Sequence, residues 1–553
     1  MRTFNIYDEK WIPVIRIDGS ESMESLRSII MEAHEIKSMS CSDGLQNTAI
    51  IRLIIAFIAR SYNVNHNGFN DESWYELWDE HKFDIRVFDD YVNGTLSSDA
   101  WNDGSIACVH DRMWLIDDTY PFMQATDMES VSGEISGLDA IMQTVRDKRK
   151  TNNYNVLFGN RKPESYESMS FDEALRYILA TYCYDTSAQK QKMKGVNPNN
   201  LNKQGRVMAK KPLAASGTIL IPTGSSMFET IMLNLPFDAS EHRISLNGVP
   251  LWEQEPLTAD YSIDEKQPDG IIDAFTFPSR RIRLIPNDCN DCIKGLLISA
   301  GDNIRTTGSQ MYEPMMAFKK IKGKNGAPDY MSPFTLPQGT SIWRGIGQFI
   351  VKDSKSNNSI PTVIRFIREL LNNGVIQSND YMLNATACTV YYGSMEAVVN
   401  DIYVDDVHVS NELTDGNAQA IICLNDCISK MNKIAEAYGK FAVDVAIANG
   451  LNDDRDMNNG DGRCAAVKSN AKTEYYAVME PILHQIIQNM ELLMNPMNSF
   501  KSATRMTINN LVNSKKDDIV KLTGRTIIKD NVEKRYSFDK AEGFLLNKMK
   551  KEL

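Results

Sequence analysis

The sequence predicts an α+β protein, a large mixed N-terminal domain followed by a C-terminal four-helix bundle. Three observations carry this. The chain has 553 residues, more than one hydrophobic core usually serves, with the ordinary globular balance of 42% hydrophobic and 24% charged residues. Short strand-like runs, Pro-rich turns and isolated helical stretches alternate over roughly the first 400 residues. Beyond about residue 410, long stretches of helical period are joined by polar loops, the pattern of an antiparallel bundle. The expected division is 1–405 and 406–553.

In chain order, Trp11-Ile12-Pro13-Val14 reads as a strand, with a short pairing candidate near Arg16. Gln46–Tyr62 reads as a buried helix. Asp71–Lys82 reads as a helix with an Asp cap and Trp74, Leu77 and Trp78 at helical spacing. Ser170–Cys183 is a capped helix with Phe171, Leu175, Ile178 and Leu179 on one face. Thr218–Ile221 reads as a strand and Ser225–Leu235 as a helix. Residues 244–350 are mixed, Pro361–Asn373 is helical, and Thr389–Val409 is β-rich. The bundle helices are expected at Asn417–Ala448, Ala471–Met494, Ser499–Val520 and Asp539–Lys550.

Charge is unevenly distributed. The formal net charge is -12, which argues against a protein that coats DNA by bulk electrostatics. Residues 1–139 carry 25 acids and 10 bases, whereas 140–215 carry 14 bases and 6 acids. Asp185 to Gly217 holds Lys190, Lys192, Lys194, Lys203, Arg206, Lys210 and Lys211 against one acid, Asp185, with few large apolar residues. Such a stretch predicts a structureless, functional loop suited to a polyanion. A further basic set includes Lys515, Lys516, Lys521, Arg525, Lys529, Lys534, Arg535, Lys548, Lys550 and Lys551, and is expected on the last bundle helices.

Nine scattered cysteines suggest reduced thiols. The N-terminus lacks an apolar signal core, and the apolar run Ile50–Ala59 is broken by Arg52 and far short of a membrane span. A cytoplasmic protein is expected, with no membrane partner.

Catalytic patterns are sparse. Gly323-Lys324-Asn325-Gly326 lacks the spacing and the Lys-Ser/Thr pair of a phosphate loop. Asp454, Asp456 and Asn458 open like a calcium loop, but Asn459 and Ala465 stand where Gly and Glu are needed. Cys289 and Cys292 have zinc-knuckle spacing without a second pair. Asp401, Asp405, Asp406 and His408 are the one acid-plus-imidazole cluster, a metal-dependent nuclease being the alternative they raise. In a strand, adjacent residues point to opposite faces, so a solvated strand is the simpler account. No metal or cofactor is expected.

Several ordered stretches resemble the large (CasA-type, Cse1 family) subunit of the type I-E CRISPR Cascade complex. They are Trp11-Ile12-Pro13-Val14, Pro121-Phe122-Met123-Gln124, Asn155 to Asn160, Thr230 to Leu235, Trp252-Glu253, Ser279 to Leu284 and Thr473 to Pro481. The resemblance implies a non-catalytic subunit that recognises the protospacer-adjacent motif (PAM) of double-stranded target DNA. It further implies help in strand separation and presentation of DNA to a recruited helicase–nuclease. Its partners would be target DNA, CRISPR RNA and other Cascade subunits. A purely structural capping subunit is the remaining alternative.

Carried over by position, a docking loop for the RNA and neighbouring subunits falls on Phe158, Gly159, Asn160 and Arg161, flanked by Lys148, Arg149, Lys150 and Lys162. The glycine-rich reading loop falls on Lys203, Gln204, Gly205 and Arg206, although only one Gly stands where the family often has several. Asn199, Asn200, Asn202 or Gln204 are then candidates to read the groove through side chains. The lysine finger falls on Lys319 and Lys320. The wedge falls on Ser394, Met395 and Glu396, with Glu in place of the family's Gln, and a carboxylate beside phosphates incurs repulsion.

Overall fold

The computed structural model describes residues 2–65, 69–94, 108–143, 145–146, 155–156, 167–236, 244–324, 326–350, 359–377, 382–393, 396–415, 417–452, 462–489, 492, 496–517, 524–529 and 532–553. The chain divides into two compact units: 1–373 with 384–407, and 374–383 with 408–553.

The first unit is mixed. Ile12–Arg16 is the middle strand of a three-stranded antiparallel sheet, flanked by Glu21–Glu24 and Ile36–Met39. Trp11 beside it is fully buried and its indole N–H donates to the Ile6 carbonyl at 2.9 Å. The helix Gly44–Asn65 is buried almost all round, as expected of a central helix without a polar face. Its one deeply buried cation, Arg52, pairs with Glu313 at 2.8 Å and lies 3.8 Å from the Phe275 ring centroid. The helix Phe171–Tyr184 packs against it. The helix Asp71–Glu80 is capped by Asn70, not Asp71, through a reciprocal bond with Ser73. A residue whose backbone is still extended satisfies the first amides, so the cap lies one position before the expected Asp.

Three further sheets frame the candidate site. Met382–Tyr392 is the centre of a three-stranded sheet between Ile219–Thr223 and Val399–Ser410. Arg280–Pro286 and Ile293–Ala300 form an antiparallel hairpin, as do Phe318–Ile321 and Tyr330–Pro333.

The second unit contains the long helices Ala418–Ala448, Arg463–Gln488, Pro496–Asp517 and Phe538–Glu552, which pack on one another. Asn417 caps the first, its side-chain oxygen accepting from the amides of Gln419 and Ala420. At Gly439 a Cβ would lie 2.9 Å from the Lys468 side chain, so glycine lets two of the helices approach closely. An antiparallel hairpin, Arg525–Lys529 with Val532–Tyr536, sits in the sequence between the last two helices. Tyr536 and Ile527 pack with Val443, Ile447 and Cys464. Arg525, Lys529, Lys534 and Arg535 therefore belong to strands, correcting their expected place on helices. Exposure alternates along the first strand, with Arg525 and Ile527 partly buried and Thr526 and Ile528 exposed, as a ribbon of period two requires. Lys515, Lys516 and Lys548 are paired with Glu474, Glu542 and Glu552, so part of this basic set is neutralised within the unit.

Candidate nucleic-acid interface

The basic stretch is an ordered loop, contrary to the structureless expectation. Met193, Val196, Val207 and Ala209 are buried with Ala125, Met128, Ala259, Tyr261, Leu297 and Ala300, and Leu201 packs against them. Isolated bridges pair Gln189 with Met208 and Ser130 with Met193. Single apolar residues spaced among lysines thus suffice to pin the loop. Their partners lie far away in sequence, which hides them from a local reading.

The base of the loop is closed by Arg280. Its guanidinium is 1% exposed and meets Asp185 at 2.5 Å, the Thr186 carbonyl at 3.0 Å and the Lys210 carbonyl at 3.0 Å. One side chain thereby holds both ends of the loop. Lys190 also reaches Asp185 at 2.5 Å and is largely buried, so it is a structural cation and not a surface contact. Next to Arg280, Arg281 donates to the carbonyls of Thr258 and Asp260 and pairs with Asp302 at 2.9 Å. Burial pushes the Asp302 carboxyl up, but Arg281 and Lys266 outweigh it and its pKa is lowered overall.

The tip is organised differently. The side-chain oxygen of Asn202 accepts from the amides of Gln204 and Arg206, both at 2.9 Å, and the Gly205 amide donates to the Asn202 carbonyl at 2.8 Å. Gly205 has φ +71°, with open space where a Cβ would stand. Lys203, Gln204, Gly205 and Arg206 are all exposed. Arg206 donates to Gln189 at 3.3 Å. Asn200 donates to Asp260 at 3.1 Å, and Asn202 is occupied with the turn, so these two act as struts. Gln204 and Asn199 are the exposed amides of the set.

Lys319 and Lys320 lie on a strand facing Ser332 and Met331, and adjacent strand residues project to opposite faces. Lys320 pairs with Asp329 at 3.0 Å; that bond, then the Gly323 amide, holds the Asp329 carboxyl below its ordinary pKa. Lys319 is exposed with no anionic partner among the described residues. Of the two, Lys319 is the available cation.

Glu396 has φ +54° in the turn after Tyr392, and its carboxylate pairs with Lys211 at 2.5 Å. The carboxylate is therefore neutralised by a cation from the loop's own C-terminal end. Ser394 and Met395 lie outside the described residues, as do Phe158, Gly159, Asn160, Arg161 and their basic neighbours Lys148, Arg149, Lys150 and Lys162.

The topology brings these elements to one end of the sheet. Ile219 pairs with Cys388, on the way to the Tyr392 turn, and bridges to Met316, three residues before Lys319. Buried Thr218, directly after the loop, accepts from the Leu336 amide at 2.8 Å and contacts the Thr389 hydroxyl at 2.6 Å. Loop, finger hairpin and turn consequently share one anchor.

The acid cluster is divided. Asp405 bonds Tyr403, Asp406 accepts from Thr386 at 2.5 Å, and Asp401 lies 3.5 Å from the Gln338 amide. Among the described residues no group of three or more His, Cys, Asp or Glu side chains is placed to hold a metal. Cys289 and Cys292 sit in the turn of the Arg280–Ala300 hairpin, exposed and half-buried.

Most motif residues that carried the family resemblance prove to be buried fasteners. Gln124 donates to the Leu115 carbonyl and accepts from the Leu284 amide. Asn234 donates to the carbonyls of Pro222 and Thr230, both at 2.7 Å. Glu253 receives Arg60 at 2.9 and 2.5 Å. Sequence reasoning did not identify Arg280 as the loop's clasp; its place in Ser279-Arg-Arg-Ile-Arg-Leu284 was the available signal.

Fold and site together define a mixed α+β protein with a C-terminal helical unit and a loop whose tip exposes Lys203 and Arg206. The fold is similar to the crystal structure of Thermobifida fusca Cse1, with TM-score 0.81 and 22% identity over 99% of this chain and 98% of that one. It is also similar to Cse1 from Acidimicrobium ferrooxidans, with TM-score 0.78 and 20% identity over 100% and 98% of the two chains. A chain of a CRISPR RNA-guided surveillance complex matches at TM-score 0.68 and 15% identity, over 100% of both. The CRISPR-associated protein CasA/Cse1 of Thermus thermophilus is 22% identical over 349 residues, 62% of this chain and 59% of that relative's length. The chain belongs to the CRISPR-associated protein Cse1 family, whose model matches residues 5–512. No helix among the described residues is long and apolar enough to cross a membrane.

Proposed function

We propose that this chain is a non-catalytic subunit of a CRISPR RNA-guided surveillance complex and reads the PAM in double-stranded DNA. Family membership and the likeness to a surveillance-complex chain support the assembly. The observation that carries the reading role is that the C-terminal end of a loop with an exposed basic tip, a lysine hairpin and a turn are anchored at one sheet end. Such a division of labour is physically sensible, since RNA pairing supplies sequence and the protein reads a short motif that nucleates opening.

In this reading, Gly205 lets the loop backbone approach the minor-groove floor, where the guanine amino group marks G·C pairs. Lys203 and Arg206 neutralise phosphate while Gln204 offers donors and an acceptor to base edges. Lys319 adds a cation for the negative potential of the groove. Ser394 and Met395 supply the wedge, with Met395 able to occupy stacking space. Docking of CRISPR RNA and neighbouring subunits at Phe158, Gly159, Asn160 and Arg161, recruitment of a helicase–nuclease, and a cytoplasmic site of action belong to the same proposal.

The test is a gel shift of the reconstituted complex on a randomised PAM library, comparing wild type with a Lys203/Gln204/Arg206→Ala variant. Loss of PAM enrichment is expected. Unchanged enrichment removes the reading role from this loop. Equal wild-type binding with and without a PAM favours a purely structural subunit, and metal-dependent cleavage abolished by Asp401→Ala favours a nuclease.

A further inference from the structure

We propose that the Lys211–Glu396 ion pair acts as an internal neutraliser, fastening the turn to the loop and keeping one cation out of the DNA contact. The inference rests on the reading that this face meets DNA. The pair is 2.5 Å long, with side chains 25% and 42% exposed. Both partners are held by their surroundings. Lys211 follows Lys210, whose carbonyl is gripped by Arg280 at 3.0 Å. Its ammonium lies 5.1 Å from the Tyr392 ring centroid, and the Tyr392 hydroxyl donates to the Tyr184 carbonyl at 2.7 Å. On the other side, the Glu396 amide donates to Gly393 at 2.9 Å, and the Gly393 amide to Val398 at 2.8 Å.

A bare carboxylate here repels phosphate, and a bare ammonium attracts phosphate of any sequence. Paired, they present no net charge. Lys211 is then a positioning residue for the turn, in contrast to Lys210, which is exposed with no anionic partner among the described residues.

The experiment measures affinity of the assembled complex for PAM and PAM-less duplexes across a salt series. Glu396→Gln keeps the side-chain shape and releases Lys211. It should steepen the salt slope by about 0.9, one phosphate contact, on both duplexes. The ratio of the two affinities stays as in wild type, because a phosphate contact carries no sequence information. Lys211→Ala leaves the carboxylate bare and weakens both complexes by about threefold, within the range of exposed pairs. The double variant K211A/E396Q and the charge swap K211E/E396K should return the slope to that of wild type.

An unchanged slope in Glu396→Gln, or a double variant whose slope stays apart from that of wild type, overturns the proposal. Its failure is separable from that of the reading role. Lost PAM enrichment in the loop variant with an unchanged Glu396→Gln slope sinks the ion pair alone. A steeper slope with intact enrichment in the loop variant sinks the loop as reader and keeps the pair.

Discussion

The base and the tip of the Asp185–Gly217 loop use charge in opposite ways. At the base, Arg280 and Asp185 are nearly sealed from solvent, and Lys190 joins them. Buried ions are costly unless paired and hydrogen-bonded, so these groups are committed to each other. At the tip, Lys203 and Arg206 remain hydrated while a single Asn202 oxygen shapes the turn. Backbone bonds fix the geometry there and leave charge for a partner. One loop thus separates the cations that hold it from the cations that it presents.

The sharpest way to break this contrast is Arg280→Ala. It removes the guanidinium from the buried Asp185 carboxylate and frees both loop ends. A loss of about 3–5 kcal/mol is expected in denaturant unfolding, together with faster proteolysis between residues 187 and 209. Lys203→Ala or Arg206→Ala should stay within about 0.5 kcal/mol of wild type in the same assay. Similar losses at base and tip erase the distinction.

Gly205→Ala comes next. Space is open for the methyl group, so the penalty is conformational, about 1–2 kcal/mol for a left-handed residue. If melts show no loss, the turn relaxes and its geometry is not imposed by Asn202.

The smallest effect concerns pH. The folded-state pKa of Asp302 is lowered, so its contribution is present above the ordinary carboxylate value, about 3.9, and declines as pH falls towards the folded value. Urea midpoints should therefore drop between pH 5 and pH 3, and less steeply in Asp302→Asn. Parallel profiles for the two proteins remove Asp302 from the acid response.

Periodicity made the long elements legible. The helix expected at Gln46–Tyr62 runs Gly44–Asn65, and that expected at Asn417–Ala448 runs Ala418–Ala448. What stayed hidden depends on distant partners. Met193 and Val207 look incidental among lysines until Ala259, Leu297 and Ala300 are placed behind them. The Arg525–Tyr536 hairpin was masked because its charges resemble those of a solvated helix face. At the candidate site, basic residue types were visible, but their allegiance was not. Nothing local distinguishes Lys190, committed to Asp185, from Lys203, which faces solvent.

Because Arg280 grips Thr186 and Lys210 together, the segment between them begins and ends at nearly the same point in space. Lengthening such a segment adds closure entropy only logarithmically. The fold therefore acts as a socket for a short tip: the turn from Asn202 to Arg206 is closed by its own bonds, so its length and chemistry can change while Met193, Val196, Val207 and Ala209 stay seated in the core. A change at that tip then alters what the loop presents to solvent while the Arg280 clasp beneath it is untouched.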